Sequence, residues 1–201
     1  MSSPEQLKRS LKVSHQSYLD DSPVLERIED VLYIAFPGTK TIEDFLHVTN
    51  NQLTRSAIDP SFQVHAGFQE RFLQSREMIM DYPIGRYPTV IVTGHSMGGS
   101  IANYCALDVS RALESQGVYS TVYCVTFGAP KPGGQAFQQA FESSRVLGRR
   151  FVYGNDPAVH YPIGRGYQHA SKPMRLGCPH RNPLKDHMLQ SYQQGLRVRF
   201  L

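Results

Sequence analysis

Apolar runs of strand length alternate along the chain with longer stretches in which apolar residues recur at helical spacing. The runs are rich in β-branched and aromatic residues and cover residues 31–36, 90–92, 120–127 and 150–153. Such runs are typical of strands that are buried on both faces of a parallel sheet. Helical spacing covers residues 67–82, 97–115 and 135–144. This alternation predicts an α/β domain with a mostly parallel central sheet.

Both ends of the chain carry further predicted helices. The segment Ser3-Pro4-Glu5-Gln6 combines a hydroxyl cap, a first-turn proline and a glutamine three residues after the cap, which indicates a helix start. We expect residues 1–22 to form a helix that covers the sheet and takes no part in chemistry. Residues 159–183 are rich in Gly, Pro and His and are predicted as loop with one edge hairpin, before a last helix over residues 186–196. Because we find no repeat and no linker, we expect residues 1–201 to form a single domain.

Composition excludes several classes of protein. Lys and Arg number 21 against 17 Asp and Glu, and this small excess is spread along the chain, so we predict no nucleic-acid partner. No apolar stretch approaches the length of about 20 residues that a membrane span needs. The N-terminus lacks an apolar signal region and the three cysteines are an odd number, which favours a reducing, cytoplasmic compartment. Secretion after removal of a leader remains the alternative, and we predict neither a metal nor a cofactor.

One apolar strand leads directly into a G-x-S-x-G segment, Gly94-His95-Ser96-Met97-Gly98, which a helical pattern follows. A sharp strand-to-helix turn with this sequence is typical of a nucleophile elbow, in which glycines allow close backbone approach around an exposed serine hydroxyl. The alternative is a glycine-rich turn with an incidental serine. The strand before the turn and the helix after it favour the nucleophile, Ser96.

A serine nucleophile needs a base, and the base needs an acid that fixes its tautomer. Asp156 follows the predicted strand at residues 150–153, which is where the elbow fold carries its acid. An ordinary Asx-turn aspartate before Pro157 is an equal alternative on local sequence. The other acids downstream of the serine, Asp108, Glu114 and Glu142, lie on predicted helices.

Four histidines follow Asp156 and compete for the role of base: His160, His169, His180 and His187. We favour His187, because we expect it to open the last helix and to project toward the sheet edge. Asp186 is then an N-cap or first-turn acid. His95 is expected to point to the side opposite the nucleophile and to pack there.

An acyl-transfer site also needs preorganised donors for the developing oxyanion. One candidate is the backbone N–H of Met97, the residue after the nucleophile. The second is Thr39, in the Gly38-Thr39 loop that follows the strand at residues 31–36.

Taken together, the motifs resemble those of the class 3, or fungal-type, lipases of the α/β-hydrolase fold. The matching segments, in the family's order, are A-F-P-G-T (35–39), V-H-A-G-F (64–68), T-G-H-S-M-G-G (93–99), F-G-A-P-K-P-G (127–133), N-D-P-A-V-H-Y-P (155–162) and D-H-M-L-Q-S-Y (186–192). The resemblance implies a mostly parallel sheet with helices on both faces. It also implies Ser96, Asp156 and His187 as the triad, Thr39 and Met97 as oxyanion donors, and structural roles for His65 and His169.

The leading hypothesis is a serine ester hydrolase that acts on lipid or small ester substrates and contacts a lipid or membrane surface transiently. Ile42, Phe45 and Leu46 share one helical face and form a candidate lid, with ordinary core packing as an equal alternative. The competing hypotheses are a non-catalytic lipase-like interaction module and an acyltransferase that uses the same triad. Acyl-chain length, head group, oligomeric state and biological role leave no signal in the sequence.

Overall fold

The computed structural model describes residues 3–39, 52–164 and 166–200. The candidate lid residues Ile42, Phe45 and Leu46 lie outside these residues. The helices are α1 (Pro4–Asp20), α2 (Ala66–Met80), α3 (Met97–Ser115), α4 (Gln135–Ser143), α5 (Pro183–Asp186) and α6 (Leu189–Phe200). The strands are β1 (Val24–Ile28), β2 (Val31–Phe36), β3 (Leu53–Arg55), β4 (Gln63–His65), β5 (Thr89–His95), β6 (Thr121–Phe127), β7 (Leu147–Tyr153) and β8 (Pro173–Leu176).

Six strands form the central sheet in the order β1-β2-β5-β6-β7-β8. The strand β1 is antiparallel to β2, and every other neighbouring pair is parallel. In chain order, β3 and β4 form a separate antiparallel pair. The predicted mostly parallel sheet is therefore confirmed, and β5, which leads into the serine, lies between two parallel partners at its centre.

Side chains of the central strands alternate between two cores. On β2, Leu32, Ile34 and Phe36 belong to the core beneath α2, α3 and α4, whereas Tyr33 and Ala35 belong to the core beneath α1 and α6. All five are at most 3% exposed. This is why the strand sequences are apolar throughout instead of alternating, and it confirms the predicted helices on both faces.

The N-terminal helix begins and ends where its sequence predicts. Ser3 and Gln6 form the reciprocal capping box, with the Gln6 N–H donating to Ser3 Oγ and the Ser3 N–H donating to Gln6 Oε1. Its buried face includes Leu7 and Leu11, which pack over the sheet. No helix among the residues that the structure describes is both long enough and apolar enough to cross a bilayer.

Two local predictions are wrong, and one strand was not predicted. No element was predicted for β1, because its V-L-E-R-I sequence is half-exposed and carries two charges. The region of the predicted edge hairpin instead contributes β8, which pairs in parallel with β7. The predicted last helix is two helices, the four-residue α5 and the twelve-residue α6, with His187 and Met188 between them.

Candidate active site

The elbow between β5 and α3 forces Ser96 into a strained backbone conformation. Its φ of 55° and ψ of −132° lie in a region that non-glycine residues rarely occupy, at a cost of order 1–3 kcal/mol. A Cβ on Gly94 would lie 2.3 Å from backbone atoms of Gly98, and a Cβ on Gly98 would lie 2.2 Å from the carbonyl oxygen of Phe36. Both glycines are therefore required by close backbone approach, as the G-x-S-x-G pattern predicts.

Three side chains that are far apart in sequence form a hydrogen-bonded row at this elbow. His187 Nε2 lies 2.9 Å from Ser96 Oγ, and His187 Nδ1 lies 2.9 Å from each carboxylate oxygen of Asp156. An ionised carboxylate only accepts hydrogen bonds, so Nδ1 carries the proton and donates. Nε2 is then left with a lone pair that faces the serine hydroxyl. The arrangement can remove the Ser96 proton when Oγ attacks an electrophile.

Asp156 is fully buried and is held by two donors besides His187. The backbone N–H of Ala158 donates to Oδ1 at 2.9 Å, and the Tyr192 hydroxyl donates to Oδ2 at 2.5 Å. Burial raises the pKa of Tyr192 well above its usual value, so the hydroxyl keeps its proton. The bond to Ala158 is the Asx-turn contact, and the same carboxylate also contacts His187.

His187 lies between two helices instead of opening the last one. It follows Asp186, the final residue of α5, and precedes the start of α6 at Leu189. Its backbone carbonyl accepts a hydrogen bond from His95 Nε2 at 2.7 Å. Because a carbonyl only accepts, His95 Nε2 carries the proton, and His95 Nδ1 accepts from the Tyr18 hydroxyl at 2.8 Å.

The prediction that His95 points away from the chemistry is therefore only partly right. His95 is buried and does not contact Ser96 Oγ, but its ring centroid lies 4.7 Å from that of His187. Burial and, to a smaller extent, the nearby His187 together lower the pKa of His95 to about 3, so His95 is neutral near pH 7. Tyr18 on α1 holds this histidine, so the N-terminal helix that covers the sheet also supports the segment that carries His187.

Asp186 is not an N-cap. Asn182 caps α5, and Asp186 ends that helix with a fully buried carboxylate. This carboxylate accepts from the Asn155 N–H at 2.7 Å, the His180 N–H at 2.9 Å and His180 Nδ1 at 2.6 Å. Burial raises the pKa of Asp186, but these donors outweigh burial and lower it overall. Asp186 thus ties the loop that carries Asp156 to the segment that carries His187.

Gly128 was not predicted as a site residue, yet it lies against the row. It has a φ of +59°, and a Cβ there would lie 2.5 Å from Asp156 Oδ2 and 3.2 Å from His187 Nδ1. The signal in the sequence was its place in the F-G-A-P segment, directly after β6. Tyr192 had the same kind of signal, as the last residue of the D-H-M-L-Q-S-Y segment, whereas Tyr18 had none, because the pattern of its helix explains it as packing.

The two predicted oxyanion donors lie on either side of the elbow. Met97 is the first residue of α3, where backbone N–H groups have no partner within the helix. Thr39 follows β2, whose last residue, Phe36, is the register partner of Gly94. A Cβ on Gly38 would lie 2.0 Å from the Tyr18 hydroxyl and 2.9 Å from the His95 carbonyl oxygen. The loop before Thr39 therefore passes directly beside the elbow.

Several of the remaining candidates contact other residues, and the candidate base His160 is exposed. Asp108 forms an ion pair with Arg76 at 2.6 Å, and His180 contacts Asp186. His65 caps α2 by accepting from the Phe68 N–H, and His169 Nε2 donates to the Val159 carbonyl. Within residues 3–39, 52–164 and 166–200, no group of three or more His, Cys, Asp or Glu side chains is arranged to hold a metal ion.

The fold is that of the α/β-hydrolases, and the row brings serine, histidine and aspartate side chains into hydrogen-bond contact at the turn after β5. The chain belongs to the class 3 lipase family, because the family model described as "Lipase (class 3)" matches residues 33–165. A lipase from Rhizomucor miehei is 29% identical over 151 residues, which are 72% of this chain and 41% of the relative. A secreted mono- and diacylglycerol lipase from Malassezia restricta is 29% identical over 167 residues, 73% of this chain and 52% of the relative.

Solved structures agree on the fold. The triacylglyceride lipase of Rhizomucor miehei superimposes with a TM-score of 0.74 at 21% identity, over 86% of this chain and 79% of that chain. The two curated relatives above are matched over only 41% and 52% of their own length.

Proposed function

We propose that the protein is a serine ester hydrolase that acts on lipid acyl esters. The observation that carries the proposal is the row from Ser96 Oγ through the His187 ring to Asp156, with all three contacts at 2.9 Å. In the proposed first step, Ser96 Oγ attacks the ester carbonyl carbon while His187 Nε2 takes the hydroxyl proton. His187 then returns that proton to the leaving alcohol, and the acyl group stays on Ser96. Water attacks the acyl-enzyme by the same route and releases the carboxylic acid.

The proposed oxyanion donors are the backbone N–H of Met97 and the Thr39 N–H or hydroxyl. Their support is positional, since Met97 begins the helix that Ser96 precedes and Thr39 follows the strand end beside Gly94. Donors of this kind act on charge that develops in the transition state, and losing one costs roughly 10²–10³ in kcat.

Lipid substrates are favoured by the surface beside His187. Leu184 and Met188 flank the histidine in sequence and are 47% and 52% exposed. Exposed apolar side chains beside a reacting group suit a substrate presented at a lipid surface. The family's named relatives, which include lipases and a phospholipase A1, support the same class of substrate.

The test is hydrolysis of p-nitrophenyl esters with two to sixteen acyl carbons, together with a phospholipid, by the wild type and by Ser96→Ala. We expect Ser96→Ala to fold and to lose about 10⁴-fold or more in kcat. Ser115→Ala is the matched control, because Ser115 is exposed at the far end of α3. If Ser96→Ala were as active as Ser115→Ala, Ser96 would not be the nucleophile. A folded wild type without turnover on any ester would favour the interaction module instead.

A further inference from the structure

A groove between the first and last helices lies outside the catalytic row. It has a volume of about 320 Å³ and is lined only by residues of α1 and α6. None of Ser96, Asp156 and His187 lines it. A volume of this size lies at the lower end of the range of about 300–1,000 Å³ for small-molecule sites.

The rim of the groove is cationic and has no acidic counterpart. Lys8, Lys12 and Arg197 line it, and none of the described residues that line it is Asp or Glu. These three side chains make no ion pair or hydrogen bond with any residue in the described part of the chain. Three cations that converge without a protein partner create a local positive potential that attracts an anion.

The floor of the same groove is apolar. Leu11, Leu189 and Leu196 line it. Leu11 and Leu196 also belong to the core and are only 6% and 1% exposed, so the half-buried Leu189 offers most of the leucine surface that a ligand can reach. An inorganic anion would pair with the cations of the rim but would make no apolar contact with the floor. An uncharged alkyl chain would contact the floor but would leave the cations unpaired. The two features together fit a molecule that has one anionic head and an apolar chain.

We propose that this groove binds the anion of a single-chain fatty acid, with its carboxylate at Lys8, Lys12 and Arg197 and its chain over the leucines. A concave groove fits one chain better than it fits the flat surface of a bilayer. The ligand class is that of the acid released in the proposed function, but binding requires no turnover. The proposal can therefore fail or succeed independently of catalysis at Ser96.

The groove begins close in sequence to the catalytic segment. Leu189 starts α6 only two residues after His187. A molecule in the groove would therefore lie outside the acyl site but would contact α6, the helix that follows His187.

The test titrates the full-length chain with dodecanoate, kept below its micelle-forming concentration, and follows binding by calorimetry and by amide chemical shifts. The groove variant carries Lys8→Gln, Lys12→Gln and Arg197→Gln. The control variant carries Arg71→Gln, Arg86→Gln and Lys172→Gln, which are exposed cations away from the groove, so the two variants change net charge equally. Dodecyltrimethylammonium, with an equal chain and the opposite charge, is the control ligand.

We expect dodecanoate to shift the amides of Lys12, Leu189 and Gln193, and the groove variant to bind it about tenfold more weakly than the control variant. Dodecyltrimethylammonium should leave those amides unshifted. The proposal is overturned if the shifts are confined to the surroundings of Ser96, or if both variants lose affinity equally. Binding of the wild type to phosphatidylglycerol vesicles without binding of monomeric dodecanoate would also overturn it, because the groove would then be part of a membrane-docking surface.

Discussion

At the scale of single residues, the candidate site depends on how each buried acceptor is supplied with donors. The Asp156 carboxylate accepts from His187, Ala158 and Tyr192, and Asp186 accepts from Asn155 and His180. Unpaired buried carboxylates are costly, so each donor both stabilises the fold and fixes an orientation. Of these donors, the sequence predicted His187 and, through the Asx turn, the backbone N–H of Ala158. The rest could not be predicted, because a tyrosine or a backbone N–H gains this role only through tertiary placement.

We predict that Tyr192→Phe lowers kcat about tenfold with little change in KM. The variant removes the buried hydroxyl that donates to Asp156 Oδ2, and a hydrogen bond to a charged group contributes about 1.5–3 kcal/mol. Tyr123→Phe is the matched control, since Tyr123 is 7% exposed in the same core and its hydroxyl has no hydrogen bond with a described residue. Steady-state kinetics on one soluble ester checks the prediction. An equal kcat in the two variants would show that Tyr192 does not position the acid.

At the scale of secondary-structure elements, the site is assembled where parallel strands end. Ser96 follows β5, Gly128 follows β6 and Asp156 lies three residues after β7. The apolar runs predicted these strands well, because residues that are buried on both faces leave a strong pattern. Failures occurred where pattern is weak, in the half-exposed β1, the short β8 and the break between α5 and α6. That break matters most, because it places the backbone carbonyl of His187 within reach of His95.

We predict that Gly128→Ala abolishes most ester hydrolysis, whereas Gly117→Ala leaves kcat unchanged. Both glycines have positive φ, +59° and +69°, so alanine strains either backbone by about 1 kcal/mol. Only at Gly128 does the new Cβ collide with Asp156 and with the Tyr192 hydroxyl, at 2.5 and 2.9 Å, while nothing lies within 4 Å at Gly117. Thermal unfolding of both variants measures the cost of the backbone strain, and kcat of both variants measures whether the row of Ser96, His187 and Asp156 is displaced. A similar kcat in both variants would contradict the proposed collision of the new Cβ with Asp156 and Tyr192.

At the scale of the whole molecule, the protein buries several histidines in their neutral form. Burial lowers the pKa of His65 to about 4 and is the main cause that lowers the pKa of His95 to about 3, while partial burial together with the nearby Arg150 lowers the pKa of the half-buried His169 to about 3. His95 ties remote parts of the chain together, since it joins α1 to the segment before α6, whereas His65 caps the helix that directly follows its own strand. The sequence predicted packing for His95, and the family resemblance implied structural roles for His65 and His169. It could not predict the hydrogen bonds of these rings, because those depend on which segments the fold brings together.

These histidines make stability depend on pH in a defined direction. In the unfolded chain a histidine has a pKa of about 6.5, so between about pH 6.5 and pH 4 the unfolded state binds protons that the folded state does not. The free energy of unfolding should therefore fall as the pH falls through this window, by up to about 1.4 kcal/mol per pH unit for each histidine.

We predict that His65→Asn makes the free energy of unfolding less dependent on pH, by about the contribution of one histidine. Asparagine keeps an acceptor at the N-cap of α2 but does not titrate. Urea unfolding of both proteins at several pH values between 7.5 and 4.5 provides the comparison. Parallel curves for the two proteins would mean that the folded state takes up the proton at His65 as readily as the unfolded chain.

The most direct test of the central claim is the position at which a fluorophosphonate ester attaches to the protein. The geometry predicts one adduct per chain on Ser96, mapped by peptide mass spectrometry, because His187 Nε2 lies 2.9 Å from the Ser96 hydroxyl. His187→Ala should slow the labelling by orders of magnitude without unfolding the chain. A label on another residue, or labelling of Ser96 at an unchanged rate in His187→Ala, would contradict the account.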